Sequence, residues 1–269
     1  MKNQYLLDRR EMLSKSLKTG AAIGLGAAAL SNIADLSPLS SRAASRLGSE
    51  SLNFIAAEPC ILTCQKTLGP CYSAGPAVRR DITEGFTGLP ARLGFRIVNA
   101  DTCEPIQGAT VDIWHTDKGG SYSAPISTMC ASDPVTRAST AFRGVQPSDA
   151  NGWAYFDSIF PGWYPGRVVH IHFTVRINTT SIVTSQFFFA DKVAEYVYRN
   201  HPLYTTRPNR DQTNTSDGIA GGLTNVVPYL FTTRMVNNKY LQAVKTIAIR
   251  TTPTTCSSFA DVEEYQDEK

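Results

Sequence analysis

The sequence carries little net charge, has only four histidines and contains no long hydrophobic run. Its formal charge of +3 comes without a stripe of basic residues and interleaved aromatics, so we expect no nucleic-acid partner. The longest mildly apolar stretch, residues 21–30, is too short to span a bilayer comfortably. Internal repeats and low-complexity tracts are also missing. With 269 residues and 42% hydrophobic content, the chain can form one sizeable domain plus a leader, or two small domains.

The first 43 residues have the features of an export signal. Arg9 and Arg10 precede the Gly- and Ala-rich stretch at residues 21–30, and a small-x-small pattern suits cleavage after Ala43. We predict a twin-arginine-type signal peptide over residues 1–43 and a periplasmic or extracellular mature protein without stable membrane insertion. The alternatives are an ordinary unstructured start or a single membrane anchor. Because the twin-arginine route carries folded proteins, it would suit a domain that takes up a metal before export.

Six cysteines follow this leader: Cys60, Cys64, Cys71, Cys103, Cys130 and Cys256. Their even number, in an exported chain, favours disulfides, but the sequence does not choose among the many possible pairings. Cys60 and Cys64 also have the spacing of a zinc site, although no second close pair follows. A free Cys71 is the remaining alternative.

From about residue 91 the sequence turns to short strands separated by turn residues. Alternating or apolar runs lie at residues 93–98, 109–115, 153–156, 168–175, 185–189, 229–236 and 241–249. A short helix is predicted only at residues 191–199. We therefore predict an all-β protein, a β-sandwich of mixed topology over residues 91–260. A loop-rich segment at 44–90 precedes it, and an acidic tail at 261–269 follows.

Two of the four histidines form the motif H-I-H in the strand predicted at residues 168–175. Side chains two apart on a strand share a face. The alternation predicts one apolar face and one face with both imidazoles: Val169, Ile171, Phe173 and Val175 against Val168, His170, His172 and Thr174. A strand that buries its first face and directs two imidazoles from the second is typical of a binding site.

Two tyrosines lie in loops at strand ends, one just after the strand predicted at 109–115 and the other in the loop that leads into the H-I-H strand. Tyr122 ends a glycine-rich turn, and Tyr164 lies in the Pro- and Gly-rich loop at 161–167. Fe(III) is a hard acid that can displace the proton of a phenol, whose free pKa is about 10. Two phenolates and a hydroxide would balance the ferric charge, with two neutral imidazoles completing the site. Taken alone, these residues also fit ordinary core aromatics and a zinc-binding or merely hydrogen-bonded H-x-H pair.

Several motifs occur in order along the chain, and together they resemble the intradiol ring-cleavage dioxygenases, the family of catechol 1,2-dioxygenase and protocatechuate 3,4-dioxygenase. The resemblance covers about residues 69–217. The motifs are RDITEG at 80–85, GATVDIWHTD at 108–117, GSYS at 120–123, FRG at 142–144, PGWYPGR at 161–167 and HIH at 170–172.

This resemblance implies a non-haem Fe(III) enzyme that cleaves a catechol-type ring between its hydroxyls with O2, giving a cis,cis-muconate-type diacid. Tyr164 would be the axial phenolate that leaves when substrate binds. Arg167 would stabilise negative charge on the activated substrate, and Gln186 would lie in the same pocket. The residues that match the iron ligands of the family are Tyr122, Tyr164, His170 and His172.

The chain departs from the family near its start. Leu68 and Cys71 stand where the family has a glutamate and a bulky pocket residue, whereas Tyr72 still offers an aromatic ring that could contact substrate. The long N-terminal helical segment of catechol dioxygenases has no room, so the chain resembles the compact exported members. Without that segment the sequence does not predict the family's usual dimer contact, and the oligomeric state is left open.

Three further points are left open by the sequence. His115 is more readily explained as a structural or supporting residue than as a ligand. The sandwich could be a non-catalytic module that binds aromatic or cell-wall material. It could also be a zinc hydrolase that uses the H-x-H pair, although such an enzyme needs a carboxylate or third histidine as ligand, and none stands out nearby.

Overall fold

The computed structural model describes residues 60–124, 128–253 and 256. The predicted signal peptide at 1–43, the first part of the loop-rich segment and the acidic tail lie outside the described residues. The described part of the chain contains two four-stranded sheets that enclose one hydrophobic core.

Eight strands form the two sheets: β1 (Pro90–Asn99), β2 (Thr110–Trp114), β3 (Arg143–Pro147), β4 (Trp153–Ile159), β5 (His170–Ile177), β6 (Thr180–Phe188), β7 (Thr232–Val236) and β8 (Tyr240–Ile249). The described helices are α1 (Pro134–Arg137), α2 (Asp191–Asn200) and a 3-10 helix at Val227–Tyr229. One sheet has the order β4-β1-β8-β7 and the other β3-β2-β5-β6. β1 and β8 are parallel, whereas the other paired strands are antiparallel. The predicted all-β sandwich of mixed topology is confirmed.

The core forms because both sheets turn alternate apolar residues toward each other. β1 contributes Phe95 and Ile97, and β5 contributes Ile171 and Phe173, all fully buried. The rings of Phe95 and Phe173 meet across the two sheets, with centroids 6.2 Å apart. Burial of each such side chain stabilises the fold by roughly 1.5–3 kcal/mol.

β5 has the two faces that its alternation predicts, with one exception. Ile171 and Phe173 lie in the core cluster, whereas His170 and His172 lie on the opposite face. Val168, which the alternation assigns to the histidine face, packs in the core instead. β5 begins only at His170, so Val168 belongs to the preceding loop, where the period of two does not hold.

Two other elements differ from the prediction. The sequence does not reveal β3, whose alternation is interrupted by Gly144. Glycine is needed there because a Cβ would lie 2.5 Å from the Cγ2 of Ile82. The strand predicted at 229–236 is shorter in the structure. Its first residue ends the 3-10 helix at Val227–Tyr229, and only β7 is a strand. Pro228 favours the helical turn, since its missing N–H is not needed in the first turn of a helix.

All six cysteines are bonded, as Cys60–Cys103, Cys64–Cys256 and Cys71–Cys130. The zinc alternative for Cys60 and Cys64 is therefore wrong, because each sulfur is bonded to a different partner. Cys71 is likewise not a free thiol. Three disulfides indicate an oxidising, exported environment. None of the helices in the described part of the chain is long and apolar enough to cross a bilayer.

Candidate metal centre

His170 and His172 lie at the start of β5, on its outer face. Their Nε2 atoms are 3.1 Å apart, and both side chains are almost completely buried. The Nδ1 of His170 lies 2.6 Å from the carbonyl oxygen of Val168. A carbonyl only accepts, so Nδ1 carries the proton and donates it. The lone pair on Nε2 of His170 is therefore available to a metal ion.

One row of cross-strand neighbours spans the second sheet at the level of His172. Arg143 pairs with Trp114, Trp114 with His172, and His172 with Gln186. Directly opposed residues on paired strands share a face, so these four side chains line one side of the site. The indole of Trp114 stacks on the imidazole of His172, with centroids 5.0 Å apart and 5° between the planes. This stacking limits rotation of the His172 ring.

Tyr122 is held by the turn that follows β2. Asp117 organises this turn, since its Oδ1 accepts a hydrogen bond from the amide of Ser121 at 2.9 Å. The amide of Tyr122 donates to the carbonyl oxygen of Cys130 at 2.8 Å, and the guanidinium of Arg143 lies 5.8 Å from the centroid of the phenol ring. Tyr122 is 2% exposed, so protein contacts rather than solvent orient its hydroxyl.

Two glycines allow the turn of Tyr122 to approach the loop of Tyr164. A Cβ on Gly120, where φ is +86°, would lie 2.1 Å from the carbonyl oxygen of Trp163. A Cβ on Gly162 would lie 2.5 Å from the amide nitrogen of Gly120. The two backbones are thus in contact at positions where other residues would collide.

The structure brings the two tyrosines and two histidines together. The hydroxyl oxygens of Tyr122 and Tyr164 each lie 3.3 Å from the Nε2 of His170, which is itself 3.1 Å from the Nε2 of His172. The two phenol rings meet edge to face with centroids 5.9 Å apart. Two phenol oxygens and two imidazole nitrogens therefore converge, which is a donor set that can hold a metal ion.

Burial controls protonation at this cluster. It raises the pKa of Tyr122 well above its usual value, and the adjacent Tyr164 raises it further. It also raises the pKa of Tyr164, against an opposing effect of Arg167. Burial lowers the pKa of His170 to about 3 and the pKa of His172 well below 6.5, with a further contribution from His170. Without metal, the imidazoles are neutral and the phenols protonated, so metal binding must release phenolic protons.

Arg167 and Gln186 meet beside the four donors. The Nη2 of Arg167 donates to the Oε1 of Gln186 at 2.5 Å, and its Nε donates to the Oδ2 of Asp217 at 2.8 Å. Gln186 is fully buried, and its Nε2 has no hydrogen-bond partner in the described part of the chain. A buried, unpaired donor calls for an explanation, and here it leaves an N–H group free for a ligand.

Tyr72 packs near the cluster, but its hydroxyl is already bonded. It donates to the Oδ2 of Asp112 at 3.1 Å and accepts from the Nη2 of Arg176 at 3.1 Å. Its ring meets Trp114 edge to face at 4.8 Å. Tyr72 thus supports the indole that stacks on His172, and a direct contact with substrate stays a prediction.

The segment that departs from the family pattern lies against the site. A Cβ on Gly69, where φ is +74°, would lie 3.1 Å from the Cε1 of His172. Its neighbour Leu68 is 42% exposed, so the replacement of a glutamate there leaves an apolar side chain at the surface. Cys71 and Cys130 are buried and pack with Tyr122. The disulfide therefore joins the segment over His172 to the turn that holds Tyr122.

His115 does not join the cluster of donors. Its Nδ1 lies 2.7 Å from the carbonyl oxygen of Thr116, and its Nε2 lies 2.8 Å from the Oγ of Ser158. Both ring nitrogens are used within the fold, as expected for a structural residue. In residues 60–124, 128–253 and 256, no group of three or more His, Cys, Asp or Glu side chains is placed to hold a metal. Within these described residues, the zinc hydrolase alternative has no third ligand of the kind that it requires.

An intradiol ring-cleavage dioxygenase from Tetranychus urticae is similar to this chain, with 26% identity and a TM-score of 0.64 over 74% of this chain and 100% of that one. A family model described as Dioxygenase matches residues 68–209. The chain belongs to the intradiol ring-cleavage dioxygenases.

Two further solved structures share the fold of this intradiol dioxygenase. One is the dioxygenase domain of a dioxygenase and carbohydrate-binding protein fusion from Streptomyces sp. SirexAA-E, with 23% identity and a TM-score of 0.52 over 70% of this chain and 98% of that one. The other is 3-chlorocatechol 1,2-dioxygenase from Rhodococcus opacus, with 16% identity and a TM-score of 0.51 over 70% of this chain and 72% of that one. No curated protein sequence gives a significant match.

Intradiol dioxygenases use non-haem iron and act on catechol-type substrates with O2. The convergent set of two phenols and two neutral imidazoles fits such an ion, because phenolate is a hard base and imidazole a neutral nitrogen ligand. Sequence reasoning missed Asp217, which lies 50 residues after its partner Arg167 and belongs to no motif. The close approach of Gly120 and Gly162 was also not predicted. The glycines in both tyrosine loops were the one signal in the sequence that could have indicated it.

Proposed function

We propose that the protein is a non-haem Fe(III) dioxygenase that cleaves a catechol-type ring between its two hydroxyls with O2, forming a cis,cis-muconate-type diacid. The observation that carries this proposal is the convergence of four donor atoms: Tyr122 Oη, Tyr164 Oη, His170 Nε2 and His172 Nε2. Membership in the family supports the reaction class. The proposed substrate is a catechol derivative, and the only other reactant is O2.

The same four side chains would hold the metal, and their charges suit a ferric ion. Two phenolates supply two negative charges, while His170 and His172 stay neutral because burial lowers the pKa of each imidazole. When bound, Fe(III) supplies Lewis-acid activation of a catecholate. A carboxylate is not part of this set, which distinguishes it from the two-His-one-carboxylate sites of Fe(II) oxygenases.

The two tyrosines have different surroundings, which supports different roles. Tyr122 is 2% exposed and is fastened through its amide to Cys130. Tyr164 is partly exposed. It lies in a loop that is closed by a hydrogen bond from the amide of Arg167 to the carbonyl oxygen of Tyr164. We therefore assign the displaceable phenolate to Tyr164, whose Oη can take a proton from an incoming catechol hydroxyl.

Arg167 and Gln186 would act on the substrate rather than on the metal. Arg167 keeps a fixed positive charge beside the donors, where negative charge would build up during ring cleavage. Gln186 uses its Oε1 to accept from Arg167, so its unpaired Nε2 is left to donate to the substrate. Both groups are held before substrate arrives, which lowers the cost of reorganisation.

The cellular context is part of the proposal. Three disulfides are compatible with a periplasmic or extracellular protein, and Arg9 and Arg10 support export by the twin-arginine route. A catechol dioxygenase in that location would take part in the breakdown of aromatic compounds outside the cytoplasm.

Oxygen uptake by the iron-loaded protein tests the reaction. Catechol, protocatechuate and hydroxyquinol would be offered separately, with ring-opened products identified by mass. We expect a burgundy-red protein, from phenolate-to-iron charge transfer, that adds both oxygen atoms to at least one substrate. Tyr122→Phe should lose the colour and the activity, whereas Tyr155→Phe, on the other sheet, should keep both. A colourless protein with full iron content, or binding without turnover, would instead favour the non-catalytic module.

A further inference from the structure

Asp217 lies outside the segment matched by the family model, yet its carboxylate contacts Arg167, which lies beside the four donors. It is 1% exposed. Its Oδ2 accepts hydrogen bonds from the Nε of Arg167 and the amide of Val168, both at 2.8 Å. Its Oδ1 accepts from the amides of Ile219 and Ala220, also at 2.8 Å. Both carboxylate oxygens are thus fixed by two donors each.

These bonds leave the carboxylate of Asp217 little freedom to move. Burial raises its pKa, but the hydrogen bonds from Arg167 and the backbone amides outweigh that effect and lower the pKa below its usual value. Asp217 therefore stays negative and offsets the positive charge of Arg167 in a region of low exposure. A buried charge pair of this kind depends on its geometry, since removal of one partner leaves the other without compensation.

The pair continues directly to Gln186. While Asp217 occupies the Nε of Arg167, the Nη2 of the same guanidinium donates to the Oε1 of Gln186 at 2.5 Å. An amide that accepts through its oxygen must turn its NH2 group elsewhere. The direction of Arg167 therefore also decides which end of the Gln186 amide is left unpaired.

We infer that Asp217 is a positioning residue for this reaction. Its carboxylate fixes the guanidinium of Arg167 and, through that group, the donor end of Gln186 toward an anionic substrate. This inference rests on the proposed function, in which both residues contact the substrate. Asp217 belongs to none of the six motifs that carry the resemblance, so those motifs alone do not identify it.

A purely structural role would have a different signature. The side chain of Asp217 also caps a turn, in which its Oδ1 accepts from the amides of Ile219 and Ala220 at 2.8 Å, so loss of the negative charge in Asp217→Asn will lower stability in any case. Asp191 offers a matched control, because its carboxylate anchors the neighbouring segment through the amide of Asn214 at 3.1 Å without contacting Arg167. Asp191→Asn should lower the melting temperature but leave kcat within about twofold of the original.

A double-mutant cycle on the iron-loaded protein tests the inference. Asp217→Asn should lower kcat about tenfold to a hundredfold, with the iron content and the charge-transfer band retained, because the metal-binding atoms are untouched. In the background of Arg167→Met, the same change should alter kcat by less than about twofold. An equal loss of kcat in both backgrounds, or an unchanged kcat in the single variant, would overturn the inference.

A second measurement needs neither iron nor activity. In the metal-free protein, the Nε–H proton of Arg167, assigned as the NMR signal absent from Arg167→Met, should exchange slowly with solvent. Asp217→Asn should make that exchange fast. If this variant does not fold, the unaltered chain still decides, since a rapidly exchanging Nε–H there would rule out the contact. Absence of oxygen uptake by the unaltered protein would refute the proposed function, whereas an active protein with an unaffected Asp217→Asn would refute only the role of Asp217.

Discussion

The amide of Gly162 donates to the carbonyl oxygen of Asp117 at 2.7 Å, which joins the loop of Tyr164 to the turn of Tyr122. Asp117 is also the residue whose side chain organises the turn of Tyr122. The relative position of the two phenols is therefore set by backbone contact between their loops. Geometry at this contact should control metal binding more strongly than it controls the fold.

Substitution of Gly162 by alanine tests this relationship. The added Cβ would lie 2.4 Å from the carbonyl oxygen of Lys118, so the two loops must separate. We expect a loss of about 1–3 kcal/mol in the free energy of unfolding, together with weaker iron binding and a shifted charge-transfer band. Chemical denaturation, iron content and the visible spectrum would measure these effects.

Gly222→Ala is a suitable control for that variant. A Cβ there would lie 3.5 Å from its nearest neighbour, which is an ordinary contact. The control should keep both the iron content and the spectrum. Iron binding by Gly162→Ala that equals binding by the control would show that the loop contact does not position the phenols.

His115 should make the stability of the metal-free protein depend on pH. Burial lowers its pKa to about 4 in the folded state, whereas an exposed histidine in the unfolded chain titrates near about 6.5. Between these values the unfolded state binds more protons, so the free energy of unfolding falls as the pH falls. The stabilisation that neutral His115 provides is fully present above about pH 6.5, and about 3 kcal/mol of it is lost by pH 4.

His170 and His172 are also buried in the neutral form, so they contribute to the same dependence of the free energy of unfolding on pH. Comparison of the unaltered protein with His115→Gln isolates the contribution of His115. Denaturation of both metal-free proteins would be measured between about pH 7 and pH 4.5. We expect a shallower dependence in the variant. Identical slopes would mean that His115 is already protonated in the fold or stays neutral in the unfolded chain.

The strands of the sandwich could be predicted from the sequence because they depend on local patterns, whereas the ligand set of two tyrosines and two histidines was expected from the resemblance to the family. Alternation along β5 alone places Ile171 and Phe173 on the face opposite to His170 and His172, and the structure has the first two in the core. The partner of Arg167 could not be predicted in this way. Asp217 reaches it through a loop whose path depends on tertiary packing, and nothing in the local sequence identifies that contact.

The disulfide pairing was equally beyond local inference, and it leads to a last prediction. Cys71–Cys130 packs against Tyr122, and the carbonyl oxygen of Cys71 accepts from the Nη2 of Arg143 at 2.8 Å. Cys60–Cys103 closes a loop of comparable length, 43 residues against 59, in a part of the chain without these contacts. Chain entropy alone predicts that loss of either bond costs about 4 kcal/mol.

Replacement of each pair by two alanines should therefore lower the free energy of unfolding by similar amounts, but only Cys71→Ala with Cys130→Ala should weaken iron binding. The physical reason is that the carbonyl oxygen of Cys130 accepts a hydrogen bond from the amide of Tyr122 at 2.8 Å. Loss of the Cys71–Cys130 disulfide therefore lets the turn that carries this phenol move. Iron affinity would be measured by competition with a chelator, under conditions where both variants are folded. Equal iron affinities for the two variants would contradict a role of the Cys71–Cys130 bond at the metal centre and leave it as a general stabiliser of the sandwich.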